Sequence, residues 1–315
     1  MARYLTLGII VLLALTACAG GQQTALKAFL GGTEGLTLSF EKNLPPTDVY
    51  DGGDFPFDIV LKLQNKGEYP VPKDKCKVSI TGIRPQEFNV QPADLVRNPD
   101  EELAARKQDA TGKIQEPISA YAEFKNLNHV TYVTGASLVF PIRAEACYGY
   151  GTTALMSICI RKNLANPEEG GLCVIEGTRP STVSGAPVTM TEFKEFPRGK
   201  DSVGFGFTIH QVGSGTVFAL DSKCEGDRAN EDKIKVNVRT GIAGLECQGL
   251  SAKSDGEAEG TLSIYGQDRT VSCKQQISVP ADYELPVTVK LYYDYRDIIT
   301  TQVNVKHSGG TETSS

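Results

Sequence analysis

The sequence predicts an all-β protein with two tandem antiparallel β-sandwiches of one type. Two observations support this prediction: strand-like segments recur in the same order about halfway along the chain, and those segments alternate apolar with polar residues, as half-buried strands do. The 315-residue chain has 32 glycines and no tryptophan. Such a composition is expected of many short strands joined by glycine turns, and the length allows each unit its own core.

The rear part of the repeat is a Tyr-x-Tyr motif within a long alternating segment. At a constant spacing of 145 residues, the matched pairs are Pro141 and Pro286, Ile142 and Val287, Ala144 and Val289, Tyr148 and Tyr293, Tyr150 and Tyr295, Ile158 and Val303, and Ile160 and Val305. Each copy predicts a long β-hairpin with the tyrosines just before its turn. Residues two apart in a strand share a face. Since the tyrosines recur in both copies, we expect them to pack in the core rather than to form an exposed binding ladder.

The front part of the repeat has a spacing of 148 residues. The alternating strand from Phe57 to Leu61 matches that from Phe205 to Ile209, and the turn Asn65-Lys66-Gly67 matches Gly213-Ser214-Gly215. Cys76 then matches Cys224. Matching strands, turns and a cysteine in one order predict two domains of the same type.

These boundaries divide the chain into consecutive segments. They are a signal peptide at 1–17, a tether at 18–35, a first sandwich at 36–162, a linker at 163–187, a second sandwich at 188–306 and a disordered tail at 307–315. A loop insertion is expected at about 92–120. Its start, from Pro92 to Lys107, is predicted to be a helix. The stronger helical signal begins at Pro99, which is followed by acidic residues in the first turn.

The N-terminus has the pattern of an export signal. An apolar run of eleven residues from Leu5 to Leu15 would cover about 16 Å as a helix, roughly half of a bilayer core, so a permanent span is not expected. The string Leu15-Thr16-Ala17-Cys18 is similar to a bacterial-type lipobox, which predicts lipidation of Cys18 and anchoring to the outer face of the membrane or envelope. The alternative is a plain secretory signal cut near Ala17 or Ala19.

Eight cysteines behind an export signal predict disulfides. The first expected pair is Cys247–Cys273 and the second is Cys159–Cys173, although Cys147 could instead lie opposite Cys159 across its hairpin. No partner is assigned to Cys76, Cys147 or Cys224. With Cys18 acylated, seven cysteines remain, so one is free or pairs with another chain. The sequence has no Cys-x-x-Cys motif, and no histidine lies beside these cysteines, so a zinc site is not favoured.

The loop around Cys224 is rich in acidic and amide side chains. These oxygen ligands could hold Ca²⁺, and the candidates are Asp221, Asp227, Asn230, Glu231 and Asp232. The spacing does not match an EF-hand, and Lys223, Arg228 and Lys233 are interspersed. A solvated acidic turn is therefore the favoured interpretation, with no other cofactor expected.

The sequence gives little support to an enzyme. The three histidines, His129, His210 and His307, stand in separate segments, and no nucleophile elbow, phosphate loop or dinucleotide fingerprint occurs. The formal net charge of −6 also disfavours nucleic acid as a partner. We therefore expect no catalytic residues.

The strand pattern of Phe57 to Gly67 in a lipid-anchored tandem array resembles the CARDB-like and immunoglobulin-like modules of prokaryotic surface proteins. The string Cys147-Tyr148-x-Tyr150, Cys159, Cys173 and Gly185-Ala186-Pro187-Val188 is similar to archaeal surface lipoproteins with tandem sandwiches. The resemblance covers roughly residues 36–306 and rests on structural motifs.

This resemblance implies a non-enzymatic adhesion or envelope-scaffold module with a protein or glycan partner at the cell surface. One alternative is a structural subunit of a surface coat or filament, formed through an edge strand or an unpaired cysteine. The other is a ligand-binding or sensor lipoprotein that serves a membrane partner.

Overall fold

The computed structural model describes residues 27–162, 173–225, 228–253, 255–277 and 281–308. Its described residues are all-β, with three short 3₁₀ turns at Lys73–Lys75, Pro85–Phe88 and Pro92–Leu95. The signal peptide at 1–17 and Cys18 lie outside them. No helix among the described residues is long and apolar enough to cross a membrane.

Two smaller antiparallel sheets each belong to one repeat. The first contains, in spatial order, β1 (Leu36–Phe40), β3 (Phe57–Asn65) and β8 (Ala120–Leu127). The second contains β10 (Gly177–Thr178), β12 (Val188–Pro197), β13 (Ser202–Gln211), β19 (Asp268–Gln276) and β16 (Leu245–Cys247). A separate hairpin joins β6 (Lys107–Gln108) to β7 (Ile114–Gln115). The predicted strand Phe57–Leu61 and its match Phe205–Ile209 therefore occupy the middle of their sheets.

A third sheet of ten strands runs through both repeats. Its main path, in spatial order, is β17 (Ser251–Lys253), β18 (Glu257–Ser263), β15 (Lys233–Arg239), β20 (Tyr283–Lys306), β9 (Ser137–Ile160), β4 (Cys76–Thr81) and β5 (Val96–Arg97). Three short strands join it at the sides, namely β2 (Asp48–Tyr50), β11 (Ser181–Val183) and β14 (Thr216–Phe218). The first repeat supplies β9 and the second supplies β20, so the two units share this sheet.

The centre of the shared sheet is a pair of unusually long strands. Strands β9 and β20 have 24 residues each and pair antiparallel along their whole length, roughly 80 Å at 3.3–3.4 Å per residue. Gly149 pairs with Asp294, its own counterpart at the repeat spacing of 145, and Tyr148 pairs with Tyr295. Equivalent positions that face each other define a local twofold axis between Gly149 and Asp294. Each repeat therefore completes its part of the sheet with half a strand from the other.

The predicted hairpins are wrong, because each Tyr-x-Tyr segment is one continuous strand. All even-numbered residues from Ile142 to Ile160 are buried, so the alternation keeps one phase through Gly149 and Gly151. A hairpin turn would have interrupted that phase. Gly151 permits close packing on the sheet, since a Cβ there would lie 2.6 Å from the ring of Tyr69.

The predicted helix from Pro92 to Lys107 is also wrong beyond one 3₁₀ turn at Pro92–Leu95. After β5 the chain is extended. The backbone of Asp100 donates to the carbonyl of Tyr121, and its carboxylate accepts the Tyr121 N–H at 2.7 Å. Buried Leu103 forms an isolated bridge with Val71. These tertiary contacts outweigh the local preference for a helix.

The predicted tether, linker and tail are partly ordered. Leu30 and Gly31 donate their N–H groups to the carboxylate of Glu68, so the described end of the tether is docked on the body. The described part of the linker, 173–187, contributes β10 and β11 to the sheets. The prediction of a disordered tail is wrong at its start, because His307 and Ser308 hydrogen-bond to Asp51. Residues 309–315 lie outside the described part.

Candidate interaction surface

Four tyrosines from the two long strands form a closed cluster of rings at the local twofold axis. The ring centroids are 5.7 Å apart for Tyr148–Tyr150, 5.9 Å for Tyr148–Tyr295, 6.4 Å for Tyr150–Tyr293 and 6.2 Å for Tyr293–Tyr295. All four side chains are buried. The expected core role is confirmed, and the Tyr-x-Tyr motif is not an exposed binding ladder.

The hydroxyl groups of this cluster have partners that follow the repeat. Tyr148 donates to the Asp297 carboxylate at 2.6 Å, and the equivalent Tyr293 lies 3.2 Å from the hydroxyl of Thr152, the counterpart of Asp297. Burial raises the pKa of Asp297, while the hydrogen bond from Tyr148 opposes that rise. Burial also raises the pKa of both tyrosines well above the ordinary value, so they stay protonated donors.

The described cysteines form three disulfides. Cys247–Cys273 and Cys159–Cys173 are the two expected pairs. The third, Cys147–Cys224, joins the two repeats across 77 residues of sequence, so the suggestion that Cys147 lies opposite Cys159 is wrong. Residues 147 and 159 lie on one continuous strand and cannot face each other across a hairpin. Three disulfides are typical of an oxidising compartment outside the cytosol.

Cys76 is the free cysteine among the described residues, and it is buried. Burial raises the pKa of its thiol to about 12, so it carries no thiolate at neutral pH. The predicted match of Cys76 with Cys224 is wrong, because Cys224 lies on a loop outside the sheet. The counterpart of β4 is β15, which pairs with the equivalent part of β20 as β4 pairs with β9. A buried thiol cannot link one copy of the chain to another.

The acidic loop around Cys224 is held on the shared sheet by Asp294. Its carboxylate accepts the N–H of Asp221 at 3.2 Å and of Lys223 at 2.7 Å, and the Ser222 hydroxyl at 3.3 Å. Burial raises the pKa of Asp294, and these donors partly offset the effect. Asp221, Lys223 and Cys224 have positive φ angles, which the carboxylate and the disulfide together hold in place.

Two of the described Ca²⁺ candidates of this loop have other partners. Asp221 faces Lys75 at 3.8 Å, Asn230 donates to the carbonyl of Glu225, and burial raises the pKa of Asp232. Asp227 lies outside the described residues. Within the described part of the chain, no group of three or more His, Cys, Asp or Glu side chains is placed to hold a metal.

The histidines are separate in the structure as well. His210 contacts the carboxylate of Asp268 on the surface of β13 and β19. His307 and the Ser308 hydroxyl both bond to Asp51, at 2.9 Å each, so the serine contacts the carboxylate rather than the imidazole. Burial raises the pKa of Asp51, but hydrogen bonds from Ser308, His307 and Val133 outweigh it and hold that pKa well below its usual range. These hydrogen bonds hold His307 and Ser308 against Asp51.

His129 has a packing role. Its ring lies 5.1 Å from that of Phe88 and 5.2 Å from that of Phe140, and burial lowers its pKa. The imidazole is therefore neutral at physiological pH and acts as part of the aromatic core.

One end of the first repeat exposes several apolar side chains, which we together call the apolar end. Its members are Tyr50, Phe55, Val130, Tyr132, Leu138 and Val139. The rings of Tyr50 and Phe55 are 5.1 Å apart, while Tyr132 and Leu138 line one open groove of about 560 Å³. The exposed fractions of Tyr132, Leu138 and Val139 are 67%, 50% and 53%. Leu138 and Val139 are successive residues of β9, so the apolar end exposes side chains on both faces of the strand. Large exposed apolar side chains are candidates for an interaction site.

The second repeat provides an internal comparison for the apolar end. At the repeat spacing of 145, Val139 corresponds to Glu284 and Phe140 to Leu285. Leu285 is buried and Glu284 is a charged surface residue, whereas Val139 is exposed and Phe140 is only half-buried. The apolar exposure at Val139 is thus absent from the equivalent position of the second repeat.

The sequence did not single out the apolar end. Its residues come from three separate segments, 50–55, 130–132 and 138–139, which only the fold brings together. The signal in the sequence was that Val139 aligns with Glu284 at the repeat spacing of 145, so that one copy has an apolar residue where the other has a charged one.

Comparisons with known proteins leave the chain without an assigned family. No protein-family model and no curated protein match it. Among solved structures it is similar to the secreted serine protease VesC from Vibrio cholerae, with 10% identity and a TM-score of 0.17 over 82% of this chain and 50% of that chain. It is also similar to infectious bursal disease virus, Gx strain, with 8% identity and a TM-score of 0.17 over 81% and 76% of the two chains. At these scores neither similarity carries an argument about fold or chemistry.

Proposed function

We propose that the protein is a non-enzymatic cell-surface lipoprotein, anchored through Cys18, whose two immunoglobulin-like sandwiches act as an adhesion or envelope-scaffold module. The all-β body and its three disulfides support a role outside the cytosol. The apolar end is the observation that carries the binding role, since its aromatic residues are of the kind that dominate protein interfaces.

The geometry of the shared sheet supports a scaffold. Val139 is nine residues from Tyr148 along β9, which places the apolar end roughly 30 Å from the local twofold axis. The N-terminal segment lies near that axis instead, because the N–H of Leu36 donates to the hydroxyl of Tyr148 at 3.3 Å. The binding surface is therefore held away from the attachment point of the chain by a rigid pair of strands.

In-cell crosslinking followed by mass spectrometry tests the binding role. We expect crosslinks from the apolar end to one other envelope protein, and we expect Val139→Glu to abolish them because a charge would be desolvated in the interface. Tyr265→Glu is the matched control, since Tyr265 is 74% exposed and lies in the second repeat. If Val139→Glu and Tyr265→Glu crosslink equally well, the apolar end is not the binding surface.

Lipidation of Cys18 is tested separately. Cys18→Ser should move the protein from the membrane fraction to the medium or soluble extract, because the acyl chains supply the anchoring free energy. Retention of Cys18→Ser in the membrane fraction would contradict the proposed anchor.

A coat or filament subunit is the second candidate function. Among the described strands, the first residues of β9, from Ser137 to Ile142, pair with β20 alone, which leaves one edge open at the apolar end. An open apolar edge can add a strand from another copy. Crosslinks mainly between copies of the chain would favour this function over binding to a different protein.

A further inference from the structure

We propose that the β6–β7 hairpin and the segment after it form a membrane-contacting patch that rests on an anionic lipid surface. The patch consists of Lys27, Lys107, Lys113, Ile114 and Ile118. The inference rests on the proposed lipid anchor at Cys18 and adds to it which face of the protein lies against the membrane.

The patch lies where the chain leaves the body toward Cys18. The N–H of Lys27 donates to the Gln108 side chain at 3.4 Å, and Gln108 pairs with Ile114 across the hairpin. The Arg106 guanidinium donates to the carbonyl of Gly31 at 3.0 Å, which fixes the neighbouring part of the chain. Lys27 is nine positions after Cys18, so even a fully extended chain separates them by only about 30 Å. An anchored Cys18 therefore keeps this hairpin close to the lipid surface.

The patch has the composition of a lipid-contacting surface. Ile114 and Ile118 are 47% and 72% exposed, although apolar side chains of this size are usually buried. Lys107 and Lys113 are exposed on the same hairpin, on the face opposite to Ile114, because Lys107 pairs with Gln115 and Ile114 pairs with Gln108. The lysines and Ile114 therefore reach a lipid surface together when the hairpin meets it edge-on. Apolar side chains that enter the headgroup region, together with lysines that meet anionic lipids, are the usual elements of peripheral membrane binding.

The acidic groups beside the patch are already engaged. The Asp109 carboxylate accepts the N–H groups of Thr111 at 2.9 Å and Lys113 at 3.0 Å. Glu116 lies 3.4 Å from Lys66 and 3.9 Å from Arg106, two cations that offset its charge. Among the described residues, Lys27, Lys107 and Lys113 have no carboxylate within ion-pair distance. The local charge is thus positive on a chain whose net charge is −6.

Hydrogen–deuterium exchange of the lipidated full-length protein tests the patch. The protein is reconstituted into vesicles of phosphatidylcholine with and without phosphatidylglycerol, and its exchange is compared with that in detergent. We expect slower exchange of amides in residues 106–118 in the anionic vesicles, and little change around Tyr265. Each lysine near an anionic surface contributes roughly a fivefold factor in affinity, so Lys107→Glu with Lys113→Glu should remove most of the dependence on phosphatidylglycerol.

Variants separate the apolar contribution from the charge. Ile114→Ser with Ile118→Ser should restore fast exchange in 106–118, whereas Tyr265→Ser, at another exposed apolar residue, should not. A vesicle-bound protein with unprotected residues 106–118 would overturn the patch and leave the lipid anchor intact. A protein that stays out of the vesicle fraction would overturn the anchor and the patch together, so the two failures are distinguishable.

Discussion

At the scale of single residues, the tyrosine cluster packs directly against the glycine turns. A Cβ at Gly67 would overlap the Tyr150 hydroxyl and lie 2.6 Å from the carbonyl oxygens of Glu34 and Gly185. In the second repeat, a Cβ at Gly215, the counterpart of Gly67, would lie 2.6 Å from the ring of Tyr295 and 2.5 Å from the carbonyl oxygen of Arg296. The recurring Gly turn and the recurring Tyr-x-Tyr are therefore two sides of one contact, which is why both are visible in the sequence.

Gly67→Ala should lower the free energy of unfolding by about 1–3 kcal/mol, because the new methyl group has no space and its nearest neighbours include backbone atoms. Gly149→Ala is the matched control, since the nearest atom to a Cβ there is the Asp294 carboxylate at an ordinary 3.7 Å. Urea unfolding of both variants measures the difference. Equal stability of the two variants would contradict the packing described for Gly67.

Cys76 should be the one described cysteine that alkylates after unfolding without reduction. In the native protein it should resist iodoacetamide, because the thiol is buried and its pKa is raised to about 12. Peptide mapping with and without denaturant checks both statements. Rapid alkylation of the native protein, or a free Cys247, would contradict the disulfide pattern.

At the scale of elements, the two long strands decide the architecture. Strand alternation was sufficient to predict that the segments around Tyr148 and Tyr293 are strands, and the repeat showed that they are equivalent. A turn was expected just after the Tyr-x-Tyr pair of each copy, and this expectation produced the wrong hairpins. The informative signal was the unbroken phase from Ile142 to Ile160, because a turn rarely preserves the alternation of its two arms.

Other elements depend on contacts that are distant in sequence. The Cys147–Cys224 disulfide could not be predicted, because its two cysteines approach each other only when the second repeat folds onto a strand of the first. The helix expected after Pro92 failed for a similar reason, since Asp100 bonds to Tyr121 rather than to its own first turn. The Cys247–Cys273 pair was easier to predict, because both cysteines stand in strand-like segments only 26 residues apart.

Loss of the disulfide between repeats should cost more than loss of a local one. In the chain-entropy model, closing 77 residues contributes about 4.5 kcal/mol, against about 3 kcal/mol for the 14 residues between Cys159 and Cys173. Cys147→Ser with Cys224→Ser should therefore lower the unfolding midpoint further than Cys159→Ser with Cys173→Ser. Denaturant unfolding of the two double variants makes the comparison. The reverse order would show that the repeats remain close together in the unfolded state without their disulfide.

At the scale of the whole molecule, buried carboxyl groups determine how stability depends on pH. Burial raises the folded-state pKa of Glu195, Asp232, Asp294 and Asp297 above the unfolded values of 3.8 for Asp and 4.5 for Glu. At pH values between the unfolded-state and folded-state pKa of these groups, the native protein binds more protons than the unfolded chain. The free energy of unfolding therefore falls as the pH rises through that range. Asp51 acts in the opposite direction, because its pKa is lowered, and its contribution is lost only in stronger acid.

The melting temperature should therefore be higher just above pH 4.5, where the rise in pKa leaves these groups more protonated in the native protein than in the unfolded chain, than at neutral pH. Asp297→Asn should reduce this difference, because the amide still accepts the Tyr148 hydroxyl but no longer ionises. Asp54→Asn, at an exposed residue, serves as the control. Differential scanning fluorimetry at the two pH values measures the melting temperature of each variant. A higher melting temperature at neutral pH would contradict the effect of the buried carboxyl groups.

The local twofold axis between Gly149 and Asp294 has a consequence for a chain that carries only one repeat. Its long strand would lack, along all 24 residues, the antiparallel neighbour that the other repeat supplies. About twelve of those residues would have unpaired backbone donors and acceptors, since alternate residues bond toward that side. Because equivalent positions face each other on the axis, that open strand is complementary to itself. A single unit would close by pairing with an identical molecule as a symmetric dimer. The present chain has the geometry of such a homodimer whose two subunits are joined covalently, in the manner of a duplicated and fused gene.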